Sequence, residues 1–420
     1  MPNDPSLSLF TAALGLSAPW QVTNIDFDEA AKRIDFNVGY GRGTHFACPA
    51  CGAPDQPVHD RRRRAWQHLH FFEHRAFIHA EVPRVRCADC SKTSQVSVPW
   101  ARPGSGFTQL FEAMLVTLAR HMPANTVARM FHIGDDAVWR VLHHYTDAAR
   151  AQEDFSQVTA VGIDETAARR GHDYITLFHD MRARRVLYAC EGRDQRTVDA
   201  FAEDLRAHGG DPDRIEAVCI DMSKAYIAGV TRVLPEAAIT FDAFHVIQLA
   251  NQAVDEVRRR ESVWAKSLKR SRWIWLKDHG DLTAKQARQF QSLSRENLET
   301  GRAWRLKEAL RALYANAPSR EQAEDELMRW VSWARRCRLE PFKRLAATIK
   351  AHWDGVLNVF GSRLTNGAVE GMNGLIQAAK ARARGYRTAR SLITMSYLIG
   401  GKLSALPANP YTTRCCGQAS

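Results

Sequence analysis

Four cysteines fall into two pairs whose spacing suits a metal site. Cys48 and Cys51 form one C-x-x-C in ACPACGAP, and Cys87 and Cys90 form the second in VRCADCSK. Each pair stands in a turn of small residues, and two such turns can direct four thiolates to one Zn²⁺ at about 2.3 Å. The pattern predicts one structural zinc in a four-cysteine ribbon, with RAFIHAEVPRVRC as a half-buried strand between the pairs.

Two alternatives for these cysteines stay open. Several histidines crowd the same region, so one of them could replace a cysteine ligand. They are His45, His59, His68, His70, His74 and His79. Reduced thiols without metal are the other alternative, because disulfides are not expected in a chain whose first residues, MPNDPSLSLF, lack the features of a secretory leader.

Three carboxylates stand where divalent cations could be held. Asp164 follows the apolar run VGI and Asp221 follows VCI, so each is expected at the carboxyl end of a buried strand. Glu370 lies in TNGAVEGMNGLIQAAK, where a helix is predicted from about residue 367 toward Arg384. A single such Asp is more often a cap or a turn former. Three together would repel one another unless two Mg²⁺ or Mn²⁺ ions, about 3.5 to 4 Å apart, lay between them.

The elements that must position these carboxylates are predicted from residue 158 onward. VTAVGIDE, YITLFHDM and RVLYACE are expected to be strands, and TVDAFAEDLRAHGG is expected to be an amphipathic helix closed by glycine. RIEAVCID, KAYIAGVTRVLPEA and AAITFDAFHV then predict strand, helix and strand. The order is βββαβαβ, and Asp164 and Asp221 become neighbours if their strands are adjacent.

A helical segment precedes this core. FTQLFEAMLVTLARHM ends before Pro123, ANTVARMFHI follows, Gly134 makes a turn, and DDAVWRVLHHYTDAAR begins with two acids suited to a helix amino terminus. This order predicts a helix-turn-helix, with Arg129, Arg140 and His144 as candidate DNA contacts. A plain helical hairpin that links two domains remains the alternative.

The segment between Asp221 and Glu370 is too long for the core alone, so we expect an insertion at residues 256–350. It is rich in helix formers, with 23 basic against 11 acidic residues in 257–350, and an all-α insertion is predicted. Its six tryptophans could pack in a core or stack on exposed bases. They are Trp264, Trp273, Trp275, Trp304, Trp330 and Trp333. After Glu370, the candidate backbone contacts are Lys380, Arg382, Arg384 and Arg387.

Composition bounds these predictions. The 420 residues are 25% charged and 45% hydrophobic, which excludes a disordered or collagen-like chain and gives room for two to four domains. The net charge of +12 combines basic segments with an acidic block at 151–256, a distribution that suits a nucleic-acid enzyme that uses cations. The run Arg61–Arg64 is either a phosphate contact or an exposed loop. We expect no membrane segment and a cytoplasmic location.

These motifs together resemble a bacterial DDE transposase with a ribonuclease-H-like core, of the insertion-sequence family L-three. The likeness rests on the double C-x-x-C, VGIDE, CIDMSKAY, FDAFHV and TNGAVEGMNGLIQAAK, and it covers nearly the whole chain. The resemblance implies that Asp164, Asp221 and Glu370 are a metal-binding catalytic triad. It also matches Asp242 and His245 to a D-x-x-H element that supports the site.

The resemblance implies a multidomain α/β protein with six segments. They are a zinc ribbon (1–103), a helix-turn-helix (104–155), a ribonuclease-H-like core in two parts (156–255 and 351–405), the all-α insertion (256–350) and a flexible tail (406–420). The implied function is binding of terminal inverted repeats, with cleavage and strand transfer of double-stranded DNA by a nucleoid-associated homodimer or larger synaptic oligomer. An inactive DNA-binding regulator and a nuclease without strand transfer are the alternatives.

Overall fold

The computed structural model describes residues 4–169, 173–362 and 367–412. Contacts divide the chain into two compact units, Met1–Tyr145 with Leu406–Ser420 and Thr146–Ala405. The first unit holds the cysteine pairs, whereas the second holds the three carboxylates. The last eight residues of the predicted tail, 413–420, lie outside the described residues. No described helix is long and apolar enough to cross a membrane.

The first unit is built on a five-stranded sheet. Its elements are α1 (Pro5–Ala13), β1 (Gln21–Asp28), β2 (Arg33–Gly39), β3 (Val58–Phe71), β4 (His74–Arg86) and β5 (Thr93–Gln95). The strand order is β1-β2-β4-β3, with β5 paired to β4. Alternate residues of β2 and β4 are buried, as period-2 patterning requires, and they pack around Trp20, Trp66 and Trp100. The strand predicted in RAFIHAEVPRVRC is confirmed as β4.

Three helices follow the first sheet. They are α2 (Gln109–Ala119), α3 (Ala124–Met130) and α4 (Asp135–Arg150). The side chain of Thr108 accepts a hydrogen bond from the backbone N–H of Phe111 at 3.3 Å and so caps α2. Pro123 precedes α3, and Gly134 precedes α4. The predicted helix, short helix, turn and longer helix are therefore confirmed.

The second unit contains a mixed five-stranded sheet. Its strands are β6 (Ala160–Ala167), β7 (Tyr174–Asp180), β8 (Arg185–Glu191), β9 (Ala217–Ile220) and β10 (Ala238–Phe241). Helix α5 (Gln195–Ala207) and helix α6 (Lys224–Val233) connect the last three strands. The order is β10-β9-β6-β7-β8, with β6, β9 and β10 parallel and β7 antiparallel to both β6 and β8. This confirms the predicted βββαβαβ order and the α/β core.

Two predicted details of this sheet are wrong. Strand β10 ends at Phe241, and the FHV of FDAFHV lies in the next helix rather than in a strand. The chain turns because the Asp242 side chain accepts a hydrogen bond from the Phe244 N–H at 3.1 Å and starts a helix. Asp164 does not end its strand either, since β6 continues to Ala167 in antiparallel pairing with β7.

The segment between the two parts of the core is helical, as predicted. Its helices are α7 (Ala243–Glu261), α8 (Arg272–Leu276), α9 (Ala284–Ser294), α10 (Glu299–Asn316), α11 (Arg320–Arg336) and α12 (Glu340–Ala351). Helix α7 passes through the predicted boundary at 255/256. The buried Trp275 and Trp330 belong to the same apolar core as Ile220 and Phe241 of the sheet. The helices therefore share the core of the second unit.

Three helices complete the second unit. They are α13 (Trp353–Ser362), α14 (Gly367–Arg382) and α15 (Ala389–Gly400). Glu370 lies in the first turn of α14, and Thr365 and Asn366 of its motif lie outside the described residues. The hydroxyl of Tyr397 on α15 accepts a hydrogen bond from the Ala189 N–H at 2.8 Å and ties this helix to β8. Helix α14 packs on α15 and on β6, so the Glu370 helix lies beside the Asp164 strand.

Candidate active site and metal centre

The four cysteines of the first unit meet at one point. The Sγ atoms of Cys48 and Cys90 are 3.8 Å apart, and those of Cys51 and Cys87 are 3.6 Å apart. Four sulfurs at about 2.3 Å from a tetrahedral Zn²⁺ would lie about 3.8 Å from one another. The residues therefore fit one structural zinc, and among the described residues the cluster contains no histidine.

Short turns hold the sulfurs in place. The Gly52 N–H donates to the Cys48 carbonyl at 2.9 Å with φ of 79°, and the Ser91 N–H donates to the Cys87 carbonyl at 3.1 Å with φ of 58°. The Ala50 N–H, 3.4 Å from the Cys48 sulfur, is the largest of the contacts that lower the pKa of Cys48 to about 7. A lower pKa favours the thiolate, which is the form that binds metal.

In the second unit, strand register brings three aspartates to one edge of the sheet. Gly162 of β6 pairs with Cys219 of β9, and Ile220 of β9 pairs with Phe241 of β10. Continuing these registers places Asp164 level with Asp221, and Asp221 level with Asp242. Neighbouring strands lie about 4.8 Å apart, so the three side chains form a row across β6, β9 and β10.

Backbone donors hold each carboxylate of this row. Asp164 Oδ1 accepts from the Glu165 N–H at 2.8 Å, and Asp221 Oδ1 accepts from the Ser223 N–H at 2.9 Å. Asp242 is 7% exposed and caps α7. The aspartates are therefore fixed at their bases, while Asp164 and Asp221 remain partly accessible.

Glu370 joins the aspartate row from the helical layer. Burial is the first cause that raises the pKa of Glu370, followed by the charge of Asp242, and Asp164 acts in the same direction. Burial also raises the pKa of Asp164, with a further contribution from the charge of Asp221. His245 lowers the pKa of both Asp164 and Glu370, so its ring lies close to both carboxylates.

A glycine lets the Glu370 helix approach the sheet. A Cβ on Gly162 would lie 2.5 Å from the Met181 sulfur and 3.0 Å from Cγ2 of Val369, the residue before Glu370. Gly162 stands two residues before Asp164 and therefore projects from the same face of β6. The missing side chain thus allows α14 to pack where Glu370 and Asp164 interact.

The carboxylates are neighbours, but they do not form a closed ligand cage. Within the described part of the chain, only the cysteine cluster brings three or more potential metal-ligand atoms within 4.8 Å of one another. The donor set of the carboxylate site consists of hard oxygens, which suit Mg²⁺ or Mn²⁺ rather than zinc. Burial is the main cause of the raised pKa of Asp164 and of Glu370, and the charges of neighbouring carboxylates add to it, so a cation bound here would favour their charged forms.

Sequence reasoning missed several polar residues around this row. Glu165 interacts with Tyr226 and with Asp221, and burial is the main cause that raises its pKa. On α14, Asn373 donates to Asp164 Oδ2 and Gln377 donates to the Thr166 hydroxyl. Their helical spacing from Glu370 was a usable signal, because i, i+3 and i+7 share a helix face.

The predicted DNA contacts differ in how exposed they are. Arg129, Arg140 and His144 are exposed on α3 and α4 of the first unit. On and after α14, the exposed residues are Arg382, Arg384 and Arg387. Lys380 instead donates to the carbonyl of Ala167, so its ammonium helps to dock α14 on β6.

Arginines also line a cleft on the outer face of the first sheet. The run Arg61–Arg64 lies in β3 rather than in a loop, so the loop alternative is wrong. Arg61, Arg63 and Arg42 line the cleft with Tyr40, whose hydroxyl accepts from Arg61 Nε at 2.9 Å. Among the described residues, Arg42 and Arg63 make no ion pair.

The tryptophans of the insertion divide between core and surface. Trp275 and Trp330 are buried, and Trp304 packs against the same core. Trp264, Trp273 and Trp333 are exposed by 65%, 58% and 43%. Three of the six tryptophans therefore pack in the core. Stacking on bases stays a prediction for the three exposed ones.

Three family models match successive parts of the chain. Residues 161–396 match a transposase family model for the DDE transposases of family ISL3. Residues 96–146 match the helix-turn-helix domain of transposase family ISL3, and residues 44–90 match the zinc-finger of transposases IS204, IS1001, IS1096 and IS1165.

Two relatives span most of the chain. The chain is 28% identical over 438 residues to the transposase for insertion sequence element IS1557 of Mycobacterium tuberculosis, covering 96% of this chain and 97% of that protein. It is 29% identical over 350 residues to the transposase for insertion sequence element IS1001 of Bordetella parapertussis, covering 81% and 85%.

Proposed function

The chain belongs to the ISL3 family of DDE transposases, and we propose that it binds the terminal inverted repeats of an insertion sequence and catalyses DNA cleavage and strand transfer. The observation that carries the chemical part is the level arrangement of Asp164 and Asp221 with Glu370 close to both Asp164 and Asp242. Carboxylates brought this close together suit divalent cations and a phosphodiester substrate.

The first unit recognises DNA in this proposal. Its helix-turn-helix would present Arg129, Arg140 and His144 to a DNA groove from α3 and α4. The zinc ribbon would hold the first sheet rigid, and the arginine cleft on that sheet would contact backbone phosphates. Arg42 and Arg63 form no ion pair with a described acid, so their positive charges are available to bind phosphate.

Asp164 is the central metal ligand in this proposal. Asp164 and Asp221 would hold one cation, and Asp164 with Glu370 would hold the second. Two cations bound there would supply Lewis acidity that activates a water oxygen and stabilises the leaving 3′ oxygen. The carboxylate of Asp242 would add negative charge beside Glu370 and so favour a bound cation. His245 would reduce the repulsion among the carboxylates.

Two displacements then occur at the same carboxylates. In the first, a water oxygen bonds to phosphorus, the bond to the 3′ oxygen breaks, and the transposon end leaves with a free 3′ hydroxyl. In the second, that hydroxyl attacks a target phosphodiester, a new P–O bond joins the end to the target, and the target's own 3′ oxygen leaves. Bond making and breaking balance in each step without a covalent protein intermediate.

The whole reaction needs two DNA ends held together. We therefore propose a dimer or larger synaptic assembly, with the insertion at 256–350 and the arginines after α14 along the DNA path. The two parts of the core, 156–255 and 351–405, would provide the chemistry, and residues 1–155 would provide end recognition.

A cleavage and strand-transfer assay tests this function. Labelled DNA that carries the element's ends is incubated with Mg²⁺ or Mn²⁺ and either wild type or Asp221→Ala. Metal-dependent nicking and joining by wild type alone is the expected result. Specific binding of the ends without any cleavage would contradict the proposed enzymatic activity and favour a DNA-binding regulator. Cleavage without joining would favour a nuclease.

A further inference from the structure

We propose that Asn373, supported by His179, is a positioning residue that holds the carboxylate of Asp164 in the orientation needed to bind a divalent cation. This inference rests on the proposed function, because it gives Asp164 a cation to bind. It adds a layer behind the carboxylates that neither the sequence motifs nor the family comparison assigns.

Both oxygens of Asp164 are held by neutral donors. The Asn373 side-chain amide donates to Oδ2, and the Glu165 N–H donates to Oδ1 at 2.8 Å. Two contacts on different oxygens restrict rotation of the carboxylate about its last torsion. Each oxygen keeps a second lone pair, so a cation can still be bound. Restricting the ligand before the cation arrives lowers the entropic cost of binding.

The partner of Asn373 is a buried histidine. His179 lies on β7 opposite Gly162 of β6 and is 1% exposed. Among the described residues, neither His179 Nε2 nor Asn373 Oδ1 has a hydrogen-bond partner, although both atoms are buried. The side chains of His179 and Asn373 interact, and because a ring N–H can donate and an amide oxygen can accept, each of the two atoms is best satisfied by the other, with Nε2–H donating to Oδ1.

The ionisation behaviour of His179 agrees with this pairing. Burial lowers the pKa of His179 to about 4, and the Asn373 side chain acts in the opposite direction. An acceptor that faces a ring N–H has that effect, so Asn373 turns its oxygen to His179 and its amide to Asp164. The histidine is neutral near pH 7 and adds no charge to the site.

An amide is the right side chain for this task. A lysine or arginine at residue 373 would neutralise Asp164 and compete with a cation for it, whereas an amide orients the carboxylate without removing its charge. Asn373 also follows Glu370 by three residues on one face of α14. One helix thus carries a candidate cation ligand and the group that orients the opposing ligand on β6.

The same helix offers a matched control. Gln377 lies one turn beyond Asn373 and donates to the Thr166 hydroxyl, two residues after Asp164 on the same face of β6. Both amides dock α14 on β6, but Gln377 touches no carboxylate in this contact. If Asn373 only helps to dock the helix, replacing Asn373 or Gln377 should have the same effect on cation binding. If Asn373 positions Asp164, only its replacement should weaken cation binding.

The experiment measures Mn²⁺ binding to the zinc-loaded full chain by titration calorimetry. Wild type, Asn373→Ala, Asn373→Leu, His179→Phe and Gln377→Ala are compared, with Asp221→Ala as the reference for binding outside the site. Loss of an orienting partner typically costs about 10- to 100-fold in metal affinity. We expect that loss for both Asn373 variants, a smaller loss for His179→Phe, and wild-type affinity for Gln377→Ala.

The variants and readouts separate the possible failures. Asn373→Leu fills the space of the amide, so a defect shared with Asn373→Ala is not due to a cavity, and thermal unfolding identifies variants that do not fold. Equal Mn²⁺ affinity in wild type and the folded Asn373 variants would overturn the inference while wild-type cleavage left the proposed function intact. An equal loss in Gln377→Ala would also overturn it. Wild type without Mn²⁺ binding would contradict both.

Discussion

The cysteine cluster and the carboxylate row of this transposase are assembled in opposite ways. The cysteine site uses two four-residue turns, and its sulfurs already stand 3.6 to 3.8 Å apart in pairs. The carboxylate row joins three parallel strands to Glu370, which lies 128 residues beyond Asp242 in the chain, and among the described residues its ligand atoms do not meet within 4.8 Å as those of the cysteines do. The four sulfurs of the cysteine cluster form a closed ligand set, whereas the carboxylate row is open, as the proposed binding of cations and substrate requires.

Removal of one carboxylate from the open row is expected to have the largest effect. Glu370→Gln keeps the shape of the side chain but removes a charge that the open site needs. We expect cleavage to fall by about three orders of magnitude, or several kcal/mol of transition-state stabilisation, with end binding nearly unchanged. Single-turnover cleavage and gel-shift titration measure the two effects. If a folded Glu370→Gln variant no longer bound the DNA ends, the proposal that the first unit recognises the ends and the second performs the chemistry would be wrong.

The second test breaks the closed site instead. Cys48→Ser leaves three thiolates, so the turns lose most of the folding free energy that zinc binding supplies. We expect end binding to weaken by roughly 100-fold or more because the sheet behind the turns loosens. Zinc content and gel-shift affinity check this result. A variant without zinc that binds the ends normally would show that the ribbon does not serve recognition.

The third test concerns the close approach that the open site depends on. Gly162→Ala would place a methyl group 2.5 Å from the Met181 sulfur and 3.0 Å from Val369, so the Met181 side chain must move and Val369 of α14 must give way slightly. We expect the free energy of unfolding to fall by about 1 to 3 kcal/mol, with a loss of cleavage. Thermal unfolding and the cleavage assay measure both effects.

A second glycine provides the control for Gly162. Gly374 lies in the same helix, and a Cβ there would meet nothing within 4 Å. Gly374→Ala should therefore raise stability, by up to about 1 kcal/mol, because alanine favours helix more than glycine. If both variants destabilised the protein equally, the packing explanation for Gly162 would be wrong.

The smallest expected effect lies on the outer face of the first sheet. The double variant Arg61→Ala with Arg63→Ala should weaken end binding severalfold. The slope of log affinity against log salt concentration should become shallower by about 1 for each phosphate that the variant no longer binds. Arg33→Ala is the control, because Arg33 is already paired with Asp35 at 2.6 Å. Gel-shift titration over a range of salt concentrations gives the slopes, and an unchanged slope in the double variant would exclude this face from DNA binding.

Much of the fold followed from local patterns. The cysteine spacing, the βββαβαβ order, the helix-turn-helix and the helical insertion are all visible as short-range spacing or periodicity, which depend on neighbours in the chain. Local patterns failed at FDAFHV, where an apolar run suggested a longer strand. The run ends in a helix because Asp242 can cap the next turn, a choice that hydrophobicity alone does not distinguish.

Residue types and their spacing in the chain identify the candidate metal ligands and most of the elements that carry them. Which of these residues meet depends on strand pairing and helix docking. Asp164 and Asp221 are level because β6 and β9 pair in one register, and a shift by one residue would turn Asp221 to the other face of the sheet. The docking of α14 on Gly162 likewise gave Asn373 its contact with Asp164 and directed Lys380 to a backbone carbonyl. Such contacts join distant segments, and no local spacing encodes them.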